Sequence, residues 1–383
     1  MNCGASRKQI PISKTGLLLA VSLAAMGASR LALAGGEVPS DLAVSFRPPP
    51  EFAGKLGGFA SPLNFYDGRA VREAADWPRR REEILKRWHD LMGPWPPLLE
   101  RPVFEELGVE QRENFRQCRV RIEVAPSQFQ IGFLLLPEGR GPFPAVVVPY
   151  YDPETSLGLS KTPLRDFAYQ LARRGFVTLA IGSPGGIARQ PDLGEARCQP
   201  LSFLAYIAAN CYNALAARPE VDARRIGIVG HSYGGKWAMF ASCLYEKFAC
   251  AVWSDPGIVF NESHVSVNYW EPWYLGRDPV RTRTAGLVTT ENPRTGTYAN
   301  LVAQGRDLHE LHALMSPRPF LVSGGAVDPP AQWVVLNHAV AVNQFLGFAN
   351  RVAMTNRATH APTVESNEQI YRFIEHHLNH AKP

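Results

Sequence analysis

Residues 226–235 read Ile-Gly-Ile-Val-Gly-His-Ser-Tyr-Gly-Gly. Ile226, Ile228 and Val229 make a short apolar strand, and Lys236-Trp237-Ala238-Met239-Phe240 continues as an apolar helix. Between them, Gly230-His231-Ser232-Tyr233-Gly234 fits G-x-S-x-G. A sharp strand-to-helix turn holds its serine in strained backbone geometry, so glycines must stand close beside it. It lifts the hydroxyl above the sheet edge and points backbone N–H groups at the reacting oxygen. The flanking strand and helix distinguish this stretch from a tight turn with an inert serine. Ser232 is read as a nucleophile.

The same alternation extends outward. Residues 118–124 and 130–136 read as an antiparallel pair, and 145–148 as a fully buried strand. Helix 163–174, strand 177–181, helix 203–217, strand 225–229, helix 236–245 and strand 250–253 follow. After a break at 257–316 come strand 319–322, helix 332–346, strand 351–354 and helix 366–378. The expected fold class is α/β, a doubly wound and mainly parallel sheet covered on both faces, with an antiparallel start. Residues 113–383 are expected to form the catalytic domain, with 257–316 an insertion after the sixth strand. Residues 35–112 read as an N-terminal arm plus a helix at 78–92, in which Ile84, Leu85, Trp88, Leu91 and Met92 share a face and Arg79-Arg80-Arg81 face solvent.

Residues 1–34 read as a signal peptide. Arg7, Lys8 and Lys14 precede the apolar run 16–27, and Ala32-Leu33-Ala34 supplies an A-x-A site. The run is short for a membrane span, so no stable anchor is expected after cleavage, and the location is periplasmic or extracellular. The segment carries Arg7, Lys8, Lys14 and Arg30 and no acid, so its removal lowers the formal charge from +5 to +1. No nucleic-acid footprint remains. Of the mature chain's cysteines, Cys211 and Cys243 fall on apolar helix patterns and read as buried thiols.

A serine nucleophile needs a base, and His360 suits that role in the loop Arg357-Ala358-Thr359-His360-Ala361-Pro362 after the last strand. The imidazole needs a carboxylate to fix its tautomer. Asp328 follows the strand 319–322 and is the expected acid; Asp255, after the strand 250–253, is the alternative. The oxyanion donors are expected to be the amides of Tyr233 and Tyr151. Trp270 and Trp273, in the aromatic run 269–274, are candidate substrate contacts. His309 and His312 have a spacing that a metal could use, but packing is the preferred role, and no metal or cofactor is expected.

Across residues 115–380 this pattern resembles the α/β-hydrolase superfamily, and within it the dienelactone-hydrolase and acetylxylan-esterase-like branch. The resembling segments are 77–96, Val221-Asp222 through Gly230–Gly235, and Asp307-Leu308-His309-Glu310-Leu311 before Ser316-Pro317-Arg318-Pro319. The resemblance implies Ser232, Asp328 and His360 as a triad acting on a carboxylic ester, a small molecule or a polysaccharide of acetylxylan type. Gly235-Lys236 after the serine is also similar to glucuronoyl esterases, in which such a lysine meets the sugar acid; Lys236 is thereby a candidate substrate ligand. A peptidase-like hydrolase and an inactive carbohydrate-binding fold are the alternatives.

Overall fold

The computed structural model describes Met1 and residues 38–379. The segment read as a signal and His380 lie outside the described residues. Nine strands form one sheet in the order β1-β2-β3-β5-β4-β6-β7-β8-β9. They are β1 Phe104–Gln111, β2 Phe115–Ala125, β3 Gln128–Pro137, β4 Phe143–Pro149, β5 Val177–Ile181, β6 Val221–His231, β7 Ala251–Ser254, β8 Phe320–Gly324 and β9 Val352–Asn356. β1, β2 and β3 pair antiparallel and β3 lies antiparallel to β5. From β5 to β9 every pairing is parallel.

The parallel strands are apolar on both sides because each side meets helices. Ala145 and Val147 of β4 face the core beneath helices Pro200–Ala216 and Tyr233–Leu244, whereas Val146 and Val148 face that beneath Phe167–Arg173 and Val364–Asn379. Trp253 and Val252 divide in the same way on β7. Each fully buried valine contributes about 1.5–3 kcal/mol relative to exposure. Such strands therefore read as continuous apolar runs, not alternating ones.

Several boundaries differ from the sequence reading. Phe104–Gln111, placed in the arm, is the edge strand β1, so the insertion follows the seventh strand rather than the sixth. Seven of its eight residues are exposed, Leu107 and Val109 included; no buried face leaves its mark on that stretch. The helix anticipated from residue 163 begins at Phe167, since Leu164 adopts a left-handed φ of 61°. Arg80, expected on a solvated face, is 1% exposed: it donates to the Pro62 carbonyl at 3.0 Å, pairs with Glu83 at 2.5 Å and stacks on Tyr66. Cys118, Cys198, Cys211, Cys243 and Cys250 are all buried free thiols.

Two buried histidines fasten the arm. His309 Nε2 lies 2.8 Å from the Ala60 carbonyl and His338 Nε2 2.9 Å from that of Leu56. Each must carry its proton on Nε2, since a carbonyl accepts. Burial is the main cause that holds His309 down at about 4, with the neighbouring His338 adding to it. Below about pH 6.5 the unfolded chain therefore takes up protons that the folded chain refuses, and stability falls as the pH drops towards 4. The melting temperature should decline over that window, and His309→Asn should flatten the decline. An unaltered slope in the variant would remove His309 from the account.

Candidate active site

The site stands at the carboxyl ends of β6, β7, β8 and β9. β6 ends at His231, and Ser232 follows with φ 55° and ψ −113°, a conformation costly for any residue with a Cβ. The helix Tyr233–Leu244 then starts at once. The glycines on either side are dictated by contact. A Cβ on Gly230 would run into the Gly234 carbonyl, and one on Gly234 into that of Pro149. Ser232 itself is part-exposed, and its N–H donates to the Ser254 carbonyl at 2.8 Å, tying the turn to the end of β7.

His360 meets the serine: its Nε2 lies 2.9 Å from Ser232 Oγ. Its Nδ1 lies 2.7 Å from an oxygen of Asp255. The carboxylate is thus Asp255, and the expectation of Asp328 is corrected. Asp255 is fully buried, with φ 50°, and its left-handed turn sends the side chain towards the β9 loop. Its first oxygen accepts from the amides of Gly325 at 2.6 Å and Asp328 at 2.8 Å, its second from that of Val327 at 3.3 Å. Asp328 points the other way and accepts from Gly257 at 2.8 Å and Ile258 at 2.7 Å. Burial, followed by the nearby Asp255 charge, raises its carboxyl to about 7. The two strand-end loops hold each other, each through its aspartate.

Tyr233 is buried and its amide opens the helix beside Ser232, the place from which the sequence reading would have it donate to an oxyanion. Tyr151 stacks on the Tyr233 ring, centroids 4.7 Å apart and planes at 21°. Its phenol is in contact with the Ser232 hydroxyl; burial raises the phenol and this contact opposes the rise. It is thus the Tyr151 side chain that lies by the serine hydroxyl, where the sequence pointed to the Tyr151 amide. A cleft of about 360 Å³ is lined by Tyr151 together with Phe129, Ile131, Gly182 and Ser183 among others.

The other candidate ligands are turned inward. Lys236 is 2% exposed, and its ammonium donates to the carbonyls of Pro256 at 2.5 Å and Ser266 at 2.9 Å, beneath Tyr269 and Tyr274. Burial lowers it to about 8. It braces the insertion, spending two of its three N–H donors on these carbonyls. Trp270 is 1% exposed and spends its indole N–H on the Gly286 carbonyl at 2.8 Å, anchoring the insertion likewise. Trp273 is half-buried, with the Arg189 guanidinium 5.5 Å over its ring. Among the described residues no group of three or more His, Cys, Asp or Glu side chains is placed to hold a metal ion.

Residues 207–288, which contain the serine turn and Asp255, match the prolyl oligopeptidase family, Peptidase_S9. The solved structure of a glucuronoyl esterase from Solibacter usitatus superposes with a TM-score of 0.65 at 18% identity, covering 84% of this chain and 97% of that one. A putative acetyl xylan esterase from Bacteroides fragilis superposes at 0.53 with 16% identity, covering 79% and 80%. The chain has the α/β-hydrolase fold. A curated relative, acyl-coenzyme A amino acid N-acyltransferase 2 of Rattus norvegicus, is 28% identical over 202 residues, 52% of this chain. The chain spans 38% of that relative's length.

Two residues of the site escaped the sequence reading. Arg357 donates to the carbonyls of His360 at 2.8 Å, Ala361 at 2.9 Å and Ser323 at 2.8 Å, pinning the histidine loop to the end of β8. Its place three residues before His360 in the same loop was the available signal. His231 is buried beside His360, ring centroids 4.7 Å apart, with Nδ1 3.1 Å from Ser254 Oγ. Burial, reinforced by the neighbouring His360, holds it well below the usual histidine value and therefore neutral. A neutral ring at this point adds no charge against the imidazolium that would form on His360.

Proposed function

We propose that this chain is a serine carboxylic-ester hydrolase working through an acyl-enzyme, with a carbohydrate ester of acetylxylan type as substrate. The observation that carries this reading is the continuous relay from Ser232 through His360 to Asp255, at 2.9 Å and 2.7 Å. Ser232 Oγ attacks the ester carbonyl while His360 Nε2 takes its proton. Asp255 holds the Nδ1 proton and stabilises the imidazolium. The Tyr233 amide and the Tyr151 phenol donate to the oxyanion. His360 then returns the proton to the leaving alcohol, and a water, deprotonated in the same manner, cleaves the acyl-enzyme.

The carbohydrate part draws support from the two similar esterases, a glucuronoyl esterase and a putative acetyl xylan esterase. Lys236, tied to Pro256 and Ser266, is not free for the role a glucuronoyl esterase would give it, which favours an acyl ester of a sugar over a sugar-acid ester. Export belongs to the same reading, supported by the basic, apolar and A-x-A order of residues 1–34. No helix among the described residues is long and apolar enough to cross a membrane.

The direct test is stoichiometric labelling of Ser232 by an organophosphonate, together with hydrolysis of 4-nitrophenyl acetate. A protein that binds carbohydrate on an inactive fold would do neither. Tyr151→Phe should lower kcat about a hundredfold and leave KM nearly unchanged, the pattern of a bond made in the transition state. An equal kcat would return the second donor to a backbone amide.

A further inference from the structure

Arg189 stands on the stretch between β5 and the helix Pro200–Ala216, beyond Gly185 and Gly186, whose φ values of 73° and 76° turn the chain outward. It is exposed, and its guanidinium lies 5.5 Å from the centroid of the half-buried Trp273 ring. It is near enough to Tyr151, Tyr274 and Glu271 for its charge to act on all three. Trp273 packs on Tyr274 with centroids 6.2 Å apart, and Tyr274 on Tyr233, the residue after Ser232, at 6.1 Å, so a run of aromatic rings joins Arg189 to the nucleophile turn.

The nearby carboxylate is already committed. Glu271 pairs with Arg283 at 3.2 Å and accepts from the Gly286 amide at 2.8 Å, both residues being almost fully buried. Among the ion pairs of the described residues, Arg189 takes part in none, whereas Arg69, Arg121, Arg174, Arg218, Arg294 and Arg372 each have an acid. Arg165, bonded to the Pro163 carbonyl at 2.9 Å, lies near Tyr150, whose ring meets that of Tyr151 edge-on at 5.0 Å. Arg189 therefore presents an exposed positive charge with no acid paired to it beside the aromatic rings that lead to the nucleophile turn, a field that draws in anions. Trp273 holds the Arg189 plane without consuming its hydrogen-bond donors, which stay available to a planar, two-oxygen acceptor.

We propose that Arg189, poised on Trp273 at the rim of the Ser232 site, recognises a free carboxylate on the carbohydrate being deacylated, so that the substrate is an ester of an acidic, uronate-bearing polysaccharide. This rests on the ester-hydrolase reading above. Arg189 takes no part in the chemical step; it orients the sugar chain and raises its local concentration.

The test uses the whole chain and Arg189→Gln on acetylated polygalacturonate, acetylated glucomannan and 4-nitrophenyl acetate. Acetate release from the acidic polymer should fall about fivefold in kcat/KM in the variant, mainly through KM, while the neutral polymer and the aryl ester are unaffected. The advantage of the unsubstituted protein on the acidic polymer should shrink in 0.5 M NaCl, as a rim charge contact would. Arg189→Lys should restore part of it. Equal losses on both polymers would overturn the inference and make Arg189 a support for Trp273. So would the absence of any loss, or failure to deacetylate the acidic polymer by a protein that cleaves the aryl ester. Inertness towards all three esters would bring down the hydrolase reading itself.

Discussion

Replacing Ser232 with alanine is expected to lower kcat for 4-nitrophenyl acetate by roughly a million-fold, to within a few orders of magnitude of the uncatalysed reaction. The change deletes one oxygen from a part-exposed position, and a methyl group suits the strained turn no worse than the hydroxymethyl it replaces. Folding should be preserved, and circular dichroism with melting would show it. What survives is the electrostatic pull of the Tyr233 amide and the Tyr151 phenol on an ester with no attacking atom on the enzyme. Labelling by the organophosphonate should vanish with activity. Comparable turnover in the alanine protein would mean that Ser232 is structural.

Exchanging Asp255 for asparagine is expected to cost about ten-thousand-fold in kcat. All four groups directed at this carboxylate are donors: three backbone amides and His360 Nδ1. An asparagine must turn its NH2 towards some of them. The oxygen with the stronger backbone partners, Gly325 at 2.6 Å and Asp328 at 2.8 Å, holds the amide oxygen, so the NH2 faces His360. The imidazole then accepts at Nδ1 and carries its proton on Nε2, where it cannot take one from Ser232. Asp328→Asn serves as the comparison. It loses one of two amide contacts at Gly257 and Ile258, and should cost stability and at most about tenfold in kcat. The reverse ranking of the two variants would contradict the geometry.

The nucleophile was legible because its chemistry is local. A strand, two glycines that admit close backbone contact, a serine and a helix are consecutive in the chain. His360 was legible for a related reason, since a loop after the last parallel strand opens at the edge where such groups gather. The acid was not. Asp255 and Asp328 both follow a parallel strand, both stand next to turn residues and both are buried. They are distinguished by a left-handed φ at Asp255 and by which loop's amides each carboxylate accepts, and those are long-range facts. Lys236 misled for a similar reason: beside a nucleophile a lysine suggests a ligand, and the carbonyls that occupy it come from residues 20 and 30 positions further along. β1 was invisible because an exposed edge strand has no apolar face to leave a pattern.

The crossed aspartates also settle what the sixty-residue excursion after β7 can do to the chemistry. Its first two amides, those of Gly257 and Ile258, are clamped by Asp328, a residue rooted in the next strand. Movement further out in the excursion meets this anchorage before it reaches Asp255. Asp328 also donates its own amide to Asp255 at 2.8 Å, so a single residue holds both the root of the excursion and the acid, and keeps the two in one register.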